Sequence, residues 1–285
     1  MEGIKNIVSL IWQDLINLIH FFTIKSGSKE IINHSKNLKR DGIIKIENYI
    51  TSSLADLLKK DRHVAVGAAS PIPGAAALLA KEEAKLLNKR IRVTILHSNK
   101  YNNFTDGARE LFDCAAQGRI DTFFLGGVQI DGQANINLIG TGEYPQTDKR
   151  FPGSFGSALM YFVVPQIILF REEHSPRTLV KKVDFISAPG VSEKEIYRSG
   201  GPKFLLTNRA LFSFDKYEQK FSLLKIKQEE NIENIIELTG FEFNVDKNIS
   251  KMAYPDENRL SILRDKIAPM VSEFYPEFAN RVWGV

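Results

Sequence analysis

The chain has 285 residues, 43% hydrophobic, 25% charged and 10% aromatic, a composition that excludes disordered, collagen-like and coiled-coil classes. At this length one large α/β domain or two modest ones can bury a core that needs no staples. Lysine plus arginine total 38 against 34 acidic residues, a formal charge of only +4, and the basic residues are scattered, so nucleic acid is not an expected partner.

In chain order, the first segment is apolar from Ile4 to Ile24 but interrupted by Gln13, Asp14, Asn17 and His20. No run of roughly 20 apolar residues exists there, so no membrane span is expected. Ile7, Ile11, Leu15, Leu18 and Phe22 recur at helical spacing, which predicts an amphipathic helix that buries its stripe on this chain, a partner or a membrane surface, docking on protein being the simpler reading. No charged leader with a small-residue cleavage site frames it, so a signal peptide is not expected. The polar stretch 25–42 reads as a linker, giving an N-terminal helix-and-linker unit over 1–45 and a main domain over 46–285.

From residue 46 the pattern becomes regular. Thr51 and Ser52 are candidate caps ahead of a helical face of Leu54, Leu57 and Leu58. HVAVGAA (63–69) reads as a buried strand, SPIPGAAALLAKEEAKLL (70–87) as a helix opened by prolines, and IRVTILH (91–97) as the next strand. That is a βαβ unit, so a parallel sheet follows. Further strands are predicted at 120–127, 163–170, 180–187 and 204–215, with 220–227 close behind, the later ones as an antiparallel extension. NIENIIELTGF (231–241) reads as a short helix stopped by Gly240. Cys114, the one cysteine, excludes an internal disulfide and cysteine-based zinc sites and fits a reducing cytoplasm. Its setting, ELFDCAAQG, reads as helix packing.

Ligands of such sheets bind beyond the carboxyl ends of the strands. Three segments therefore draw attention. VGAASPIPG (66–74) is a small-residue turn into a helix N-terminus, whose exposed N–H groups suit an anion or a thioester oxygen. HSNKYNNFTDG (97–107) is rich in proton-transfer and hydrogen-bonding groups. GGVQIDGQANINLIGTG (126–142) begins with paired glycines that let a ligand approach the backbone. RFPGSFGSA (150–158) adds a glycine-serine loop. None matches the phosphate-loop or dinucleotide fingerprint, so ATP and NAD are not supported.

The order and spacing of six segments, VAVGAASPIPGAAALLAK, FFLGGVQIDGQANINLIG, RFPGSFGSALM, REEHSPRTLVKKVDFISAPG, GGPKFLLTNRALFSFD and ELTGFEF, resemble the type I CoA-transferases, specifically the β subunit of the glutaconate CoA-transferase kind. The resemblance spans roughly residues 46–245. It implies an open, mostly parallel α/β sheet with helices on both faces, shared with sugar-phosphate isomerase-like proteins, and a cytoplasmic hetero-oligomer with an α-type subunit. It also implies acyl-CoA and carboxylic acid substrates, coenzyme A as a substrate, and no permanently bound cofactor. Taken with the reading of the post-strand loops, it makes Gly67, Gly126, Gly127, Gln129, Asn137, Gly153, Ser154 and Gly156 the residues expected to bind substrate or CoA.

In that family a glutamate attacks the acyl-CoA carbonyl, becomes a mixed anhydride and then an enzyme-bound thioester, and passes CoA to a second carboxylate. The β-subunit glutamate stands after a strand in a Glu-Ser-Gly triplet. Here the matching place reads His97, Ser98 and Asn99, and imidazole cannot form that anhydride. Three readings stay open. The partner supplies the carboxylate for CoA transfer and this chain shapes the pocket; or His97 is a general base of a CoA-ester hydrolase or ring-opening enzyme; or the chain is a non-catalytic scaffold.

Other residues carry competing roles. Asp106, before Gly107, is expected to cap a helix, and Glu110 to be a solvated helix residue. Gly126 and Gly127 read equally as a tight turn, and Phe155 intrudes into what the family shows as a glycine-serine-glycine-glycine run. His174, with Arg171 and Arg177, could meet CoA phosphates, although ion pairs to Glu172 and Glu173 are the simpler reading. Five histidines without i, i+4 spacing give no metal site.

Overall fold

The computed structural model describes residues 44–285; the N-terminal amphipathic helix and most of the linker expected over 1–45 lie outside them. Helix α1 (Ile46–Leu57) leads into β1 (His63–Val66), α2 (Pro71–Leu86), β2 (Arg92–Ile95), α3 (Gly107–Ala116) and β3 (Thr122–Leu125). Two small hairpins follow, β4 (Gln129–Ile130) with β5 (Ile136–Asn137) and β6 (Gly140–Thr141) with β7 (Lys149–Arg150). Then come α4 (Ser157–Val163), β8 (Gln166–Phe170), β9 (Pro202–Leu206), β10 (Ala210–Asp215), β11 (Lys220–Ile226), α5 (Ile232–Glu237) and β12 (Asn244–Lys251). The chain ends in α6 (Glu257–Ile262), a π turn (Leu263–Ile267), α7 (Ala268–Ser272) and α8 (Pro276–Trp283).

The main sheet has eight strands in the order β2-β1-β3-β8-β9-β10-β11-β12. The five strands from β2 to β9 are parallel, β10 alone opposes them, and β11 and β12 again run with the majority. The expected antiparallel extension is thus a single reversed strand. β1 connects outward to β2, and β2 returns past β1 to β3. Since such crossovers are right-handed, α2 and α3 fall on opposite faces. Alternation agrees: Ala65, Phe123, Leu125, Ile167 and Leu169 join one core with Leu111 and Ala115 of α3 and Met160 and Tyr161 of α4, while Val64, Val66, Phe124 and Ile168 are also buried and must face the other side.

Several local expectations are corrected. α1 begins at Ile46, so Thr51 and Ser52 are not caps but interior helix residues, buried with hydroxyls that have no hydrogen-bond partner. The apolar face outweighs the capping signal. Residues 180–187 form no strand; isolated bridges, Ile130 with Leu179 and Ile136 with Ala188, and hydrogen bonds of Asp184 with Gln129 hold that segment to the β4–β5 hairpin. Asp106 stands at the start of α3 but makes no side-chain cap; it pairs with Arg109 at 3.2 Å. Glu110 instead reaches back, accepting from the Thr105 N–H at 2.6 Å and the Asp106 N–H at 3.3 Å, and so satisfies backbone donors at the start of α3.

Candidate active site at the strand tips

β1 connects toward one edge of the sheet and its neighbour β3 toward the other. The crevice between their carboxyl ends is therefore a topological switch point, the preferred ligand site of open α/β sheets. Gly67 follows β1 and Gly126 follows β3, so two of the candidate glycines flank it. A Cβ on Gly67 would meet only the Ser70 hydroxyl at 3.7 Å and the Phe123 ring at 3.8 Å, ordinary contacts that leave this glycine free of a packing requirement. A Cβ on Gly126 would come 3.2 Å from the Phe170 carbonyl at the end of β8.

One strand further out, β2 ends at Ile95 and the chain turns through His97, Ser98 and Asn99. Two residues from the C-terminal helical region, neither of them expected from the sequence, close on this turn. Ser98 is buried and donates its hydroxyl to Glu273 at 2.7 Å, while the Asn99 N–H donates to the other Glu273 oxygen at 3.1 Å. Ser98 in turn accepts from the Lys100 and Tyr101 N–H groups at 3.1 and 2.9 Å, so the loop is wound around one hydroxyl. The His97 ring stacks on Tyr275, centroids 5.2 Å apart and planes 18° from parallel.

The Tyr275 hydroxyl donates to the Ala68 carbonyl and accepts from the Ser70 N–H at 3.0 Å. It thereby ties the turn after β1 to the turn after β2, and it occupies one of the N–H groups at the start of α2 that the sequence offered for an anion. Burial pushes the His97 pKa below its ordinary 6.5, and the nearby Glu273 charge opposes that shift. At neutral pH the imidazole is therefore mostly unprotonated and able to accept a proton. No local signal marks Glu273; the 260–282 run of apolar residues at helical spacing announces the helices, but not which exposed residue meets a distant loop.

The remaining candidate residues separate into groups. A Cβ on Gly127 would lie 2.7 Å from the Gln129 carbonyl, so this glycine is required by the hairpin itself. Gln129 and Asn137 are buried and satisfied internally. The Gln129 amide donates to Asp184 at 3.0 Å, while its oxygen accepts from the Asn137 amide at 2.8 Å and the Asp184 N–H at 2.9 Å. The Asn137 amide also donates to the Gly140 carbonyl at 2.7 Å, and its oxygen accepts from the Ile139 N–H at 3.0 Å. These two residues lock the hairpins.

Gly153, with φ +105°, Ser154 and Gly156 form the turn before α4. The turn packs on Ile139 and on Phe112 of α3, whose ring fills the space a Gly156 side chain would need, 2.1 Å from its Cβ. Phe155, at φ +43° and 79% exposed, lies 5.8 Å from Phe112 between ring centroids. The structure thus brings His97, Ser98 and Asn99 to one end of the sheet with Gly67 and Gly126, and seats the Gly153 to Gly156 turn against α3.

Arg171 reaches Glu173 only at 4.0 Å, and its buried Nε has no hydrogen-bond partner among the described residues. Arg177 meets Glu173 at 2.6 Å, and His174 is buried between Thr207 at 2.8 Å and Thr239 at 3.0 Å, with its pKa pushed down to about 4 by burial and, secondarily, Arg209. Cys114 is half-buried against the core. A cavity of about 1270 Å³ lies elsewhere, lined by Asp131, Asn135, Lys181, Lys220, Phe241 and Val245 among others. Lys220 and Val245 belong to β11 and β12. From β2, β11 is six strands away, roughly 29 Å at about 4.8 Å per strand, so this groove is not the pocket of His97. Among the described residues no cluster of three or more metal-ligating side chains occurs, and no helix is long and apolar enough to cross a membrane.

Comparison with known proteins decides the family. The model of the coenzyme A transferase family matches residues 42–212, which takes in β1, β2, β3, the switch point and the 97–99 turn. The chain belongs to the coenzyme A transferase family. Within it, this transferase-family chain is 28% identical over 153 residues to the β subunit of glutaconate CoA-transferase from Acidaminococcus fermentans, covering 51% of this chain and 56% of that one. It is 29% identical over 153 residues to the β subunit of 3-oxoadipate CoA-transferase from Pseudomonas knackmussii, covering 52% and 58%. The matched stretch thus spans little more than half the length of these curated relatives.

Solved structures share the fold. Glutaconate coenzyme A-transferase from Acidaminococcus fermentans superposes with a TM-score of 0.70 at 19% identity, over 81% of this chain and 97% of that one. IpdAB from Rhodococcus jostii RHA1 gives 0.68 at 20%, over 85% and 99%, and the decarboxylase AibA/AibB gives 0.65 at 20%, over 85% and 100%. The α/β architecture read from the sequence is therefore the fold of these solved structures.

Proposed function

We propose that this chain is the β-type subunit of a two-chain complex that processes acyl-CoA esters, with coenzyme A as a substrate, and that its own contribution is proton transfer by His97. One observation carries the reading: an imidazole stands after β2, within the stretch matched to the family, stacked on Tyr275 in a turn that Glu273 holds through Ser98 and Asn99, and burial lowers its pKa. In a hydrolytic step the imidazole takes a proton from water as the water oxygen bonds to the thioester carbon. The carbon–sulfur bond then breaks, and the CoA thiolate takes a proton as the free acid departs. The turns at Gly67 and Gly126 offer backbone at the switch point for the thioester end of the ligand.

A second reading, CoA transfer between carboxylic acids with the attacking glutamate on the α-type partner, is favoured by the two transferase β subunits among the relatives. Here His97, Ser98 and Asn99 shape the pocket without reacting. One assay separates the two: the purified complex is given a panel of acyl-CoA esters with and without an acceptor acid, and free thiol is followed. Thiol release without acceptor, lost in His97→Ala, supports proton transfer by His97. Turnover only with acceptor, retained in His97→Ala, supports the second. A complex that turns over no CoA ester in either condition removes both.

A further inference from the structure

The 97–99 turn is held by a carboxylate from the far end of the sequence. Glu273 follows α7, well beyond residue 212 where the family match ends. Both its oxygens are engaged by neighbouring groups of the one turn, Ser98 Oγ at 2.7 Å and the Asn99 N–H at 3.1 Å. Two such bonds fix the carboxylate plane relative to the loop, and the buried Ser98 hydroxyl makes the contact geometrically strict. Two residues later Tyr275 lies flat on the His97 ring and is itself pinned at Ala68 and Ser70. A single stretch of three residues therefore supplies both the carboxylate that holds the turn and the ring that stacks on the imidazole.

We propose that Glu273 is the partner carboxylate of His97, a positioning residue that holds the turn and supplies the negative charge beside the imidazole, with Tyr275 fixing the orientation of the ring. The other charged and titratable groups near this loop are Tyr275 on the imidazole, Lys100 and Tyr101, which follow it in the chain, Lys81 of α2, which lies over the Tyr101 ring at 5.1 Å, and Glu82 and Lys85 of α2, which act on Tyr101. Glu273 is the carboxylate acting on His97. It favours the protonated imidazole and opposes the burial that disfavours it, which keeps the His97 pKa closer to its ordinary value than burial alone would. The hold of Glu273 on Ser98 and Asn99 and the stacking of Tyr275 on His97 stand on geometry, whereas the catalytic consequence rests on the proton-transfer reading of His97.

The test is an NMR titration of the His97 imidazole in the full chain, alongside the pH profile of acyl-CoA turnover by the complex. Glu273→Gln keeps a hydrogen-bond acceptor for the turn and removes the charge. The His97 midpoint is expected to fall by about 0.5–1 pH unit. The acid limb of kcat/KM should move down by the same amount, and Glu273→Asp should restore part of both. An unchanged His97 midpoint in a folded Glu273→Gln protein overturns the pairing, because a purely structural strut would leave it in place. Borohydride reduction after incubation with acyl-CoA, followed by mass spectrometry, gives a second check: a reduced alcohol at Glu273 would make it a nucleophile and overturn the positioning role. If the midpoint falls while no CoA ester is turned over, the pair is real and the functional reading above is what has failed.

Discussion

Lowering the pH should unfold this protein partly through one histidine that the site does not use. His174 is enclosed between Thr207 and Thr239, and burial holds its pKa at about 4 against an ordinary 6.5. A folded-state pKa below the unfolded one means that the unfolded chain binds the proton first. The native advantage is complete above about pH 6.5, shrinks as the pH falls, and is fully lost once the pH is below about 4. A difference of about 2.5 units corresponds to roughly 3 kcal/mol in total, of which about 2 kcal/mol is gone by pH 5. The assay is urea unfolding at pH 7 and pH 5 for the wild type and for His174→Gln, which cannot titrate. The variant starts less stable, having lost its fit between the two threonines. Its further loss between the two pH values should nevertheless be smaller than the wild type's by about 2 kcal/mol. Equal losses in the two proteins would refute the reasoning, and so would an NMR titration showing His174 protonated near pH 6. The same result would reopen a CoA-phosphate role for the 171–177 segment, which a neutral, enclosed imidazole argues against.

Three further outcomes are expected. Gly240→Ala places a Cβ 2.4 Å from the Leu179 carbonyl and 3.1 Å from the Lys181 N–H; since both neighbours are backbone, a loss of about 2–4 kcal/mol should appear in the urea midpoint. Thr51→Val replaces a buried hydroxyl that has no partner by a methyl of the same shape, so thermal unfolding should show no loss and a gain of up to about 1 kcal/mol. Tyr275→Phe leaves the ring on His97 but removes the bridge to Ala68 and Ser70. The expected result is a fall of about 10-fold in kcat/KM for acyl-CoA turnover, with the His97 titration midpoint shifted far less than in Glu273→Gln.

The elements of the parallel core were legible because their signals are local and agree with one another. HVAV and TFFL are short, mostly apolar runs followed by small residues, and the prolines at 71 and 73 open α2 where a missing N–H costs nothing. Thr51 and Ser52 misled because a capping residue and a buried helix residue of the same type look alike in one dimension. Residues 180–187 misled because an apolar alternation that packs on a hairpin reads the same as one that enters a sheet. Gln129 and Asn137 are polar residues in a glycine-rich post-strand loop, as ligand contacts would be; only the positions of Asp184 and Gly140 show that their hydrogen bonds are met within the chain.

By itself the sequence determined a mostly parallel α/β sheet, its transferase-family membership, and an imidazole where the resemblance implies a glutamate, since strand periodicity, helix punctuation and an ordered set of motifs all lie along the chain. The three-dimensional structure decided what surrounds that imidazole. Glu273 lies 174 residues from Asn99, with which it shares a hydrogen bond, and Tyr275 lies 205 residues from Ser70. A contact of that kind depends on the packing of the C-terminal helices, not on any pattern of neighbouring residues.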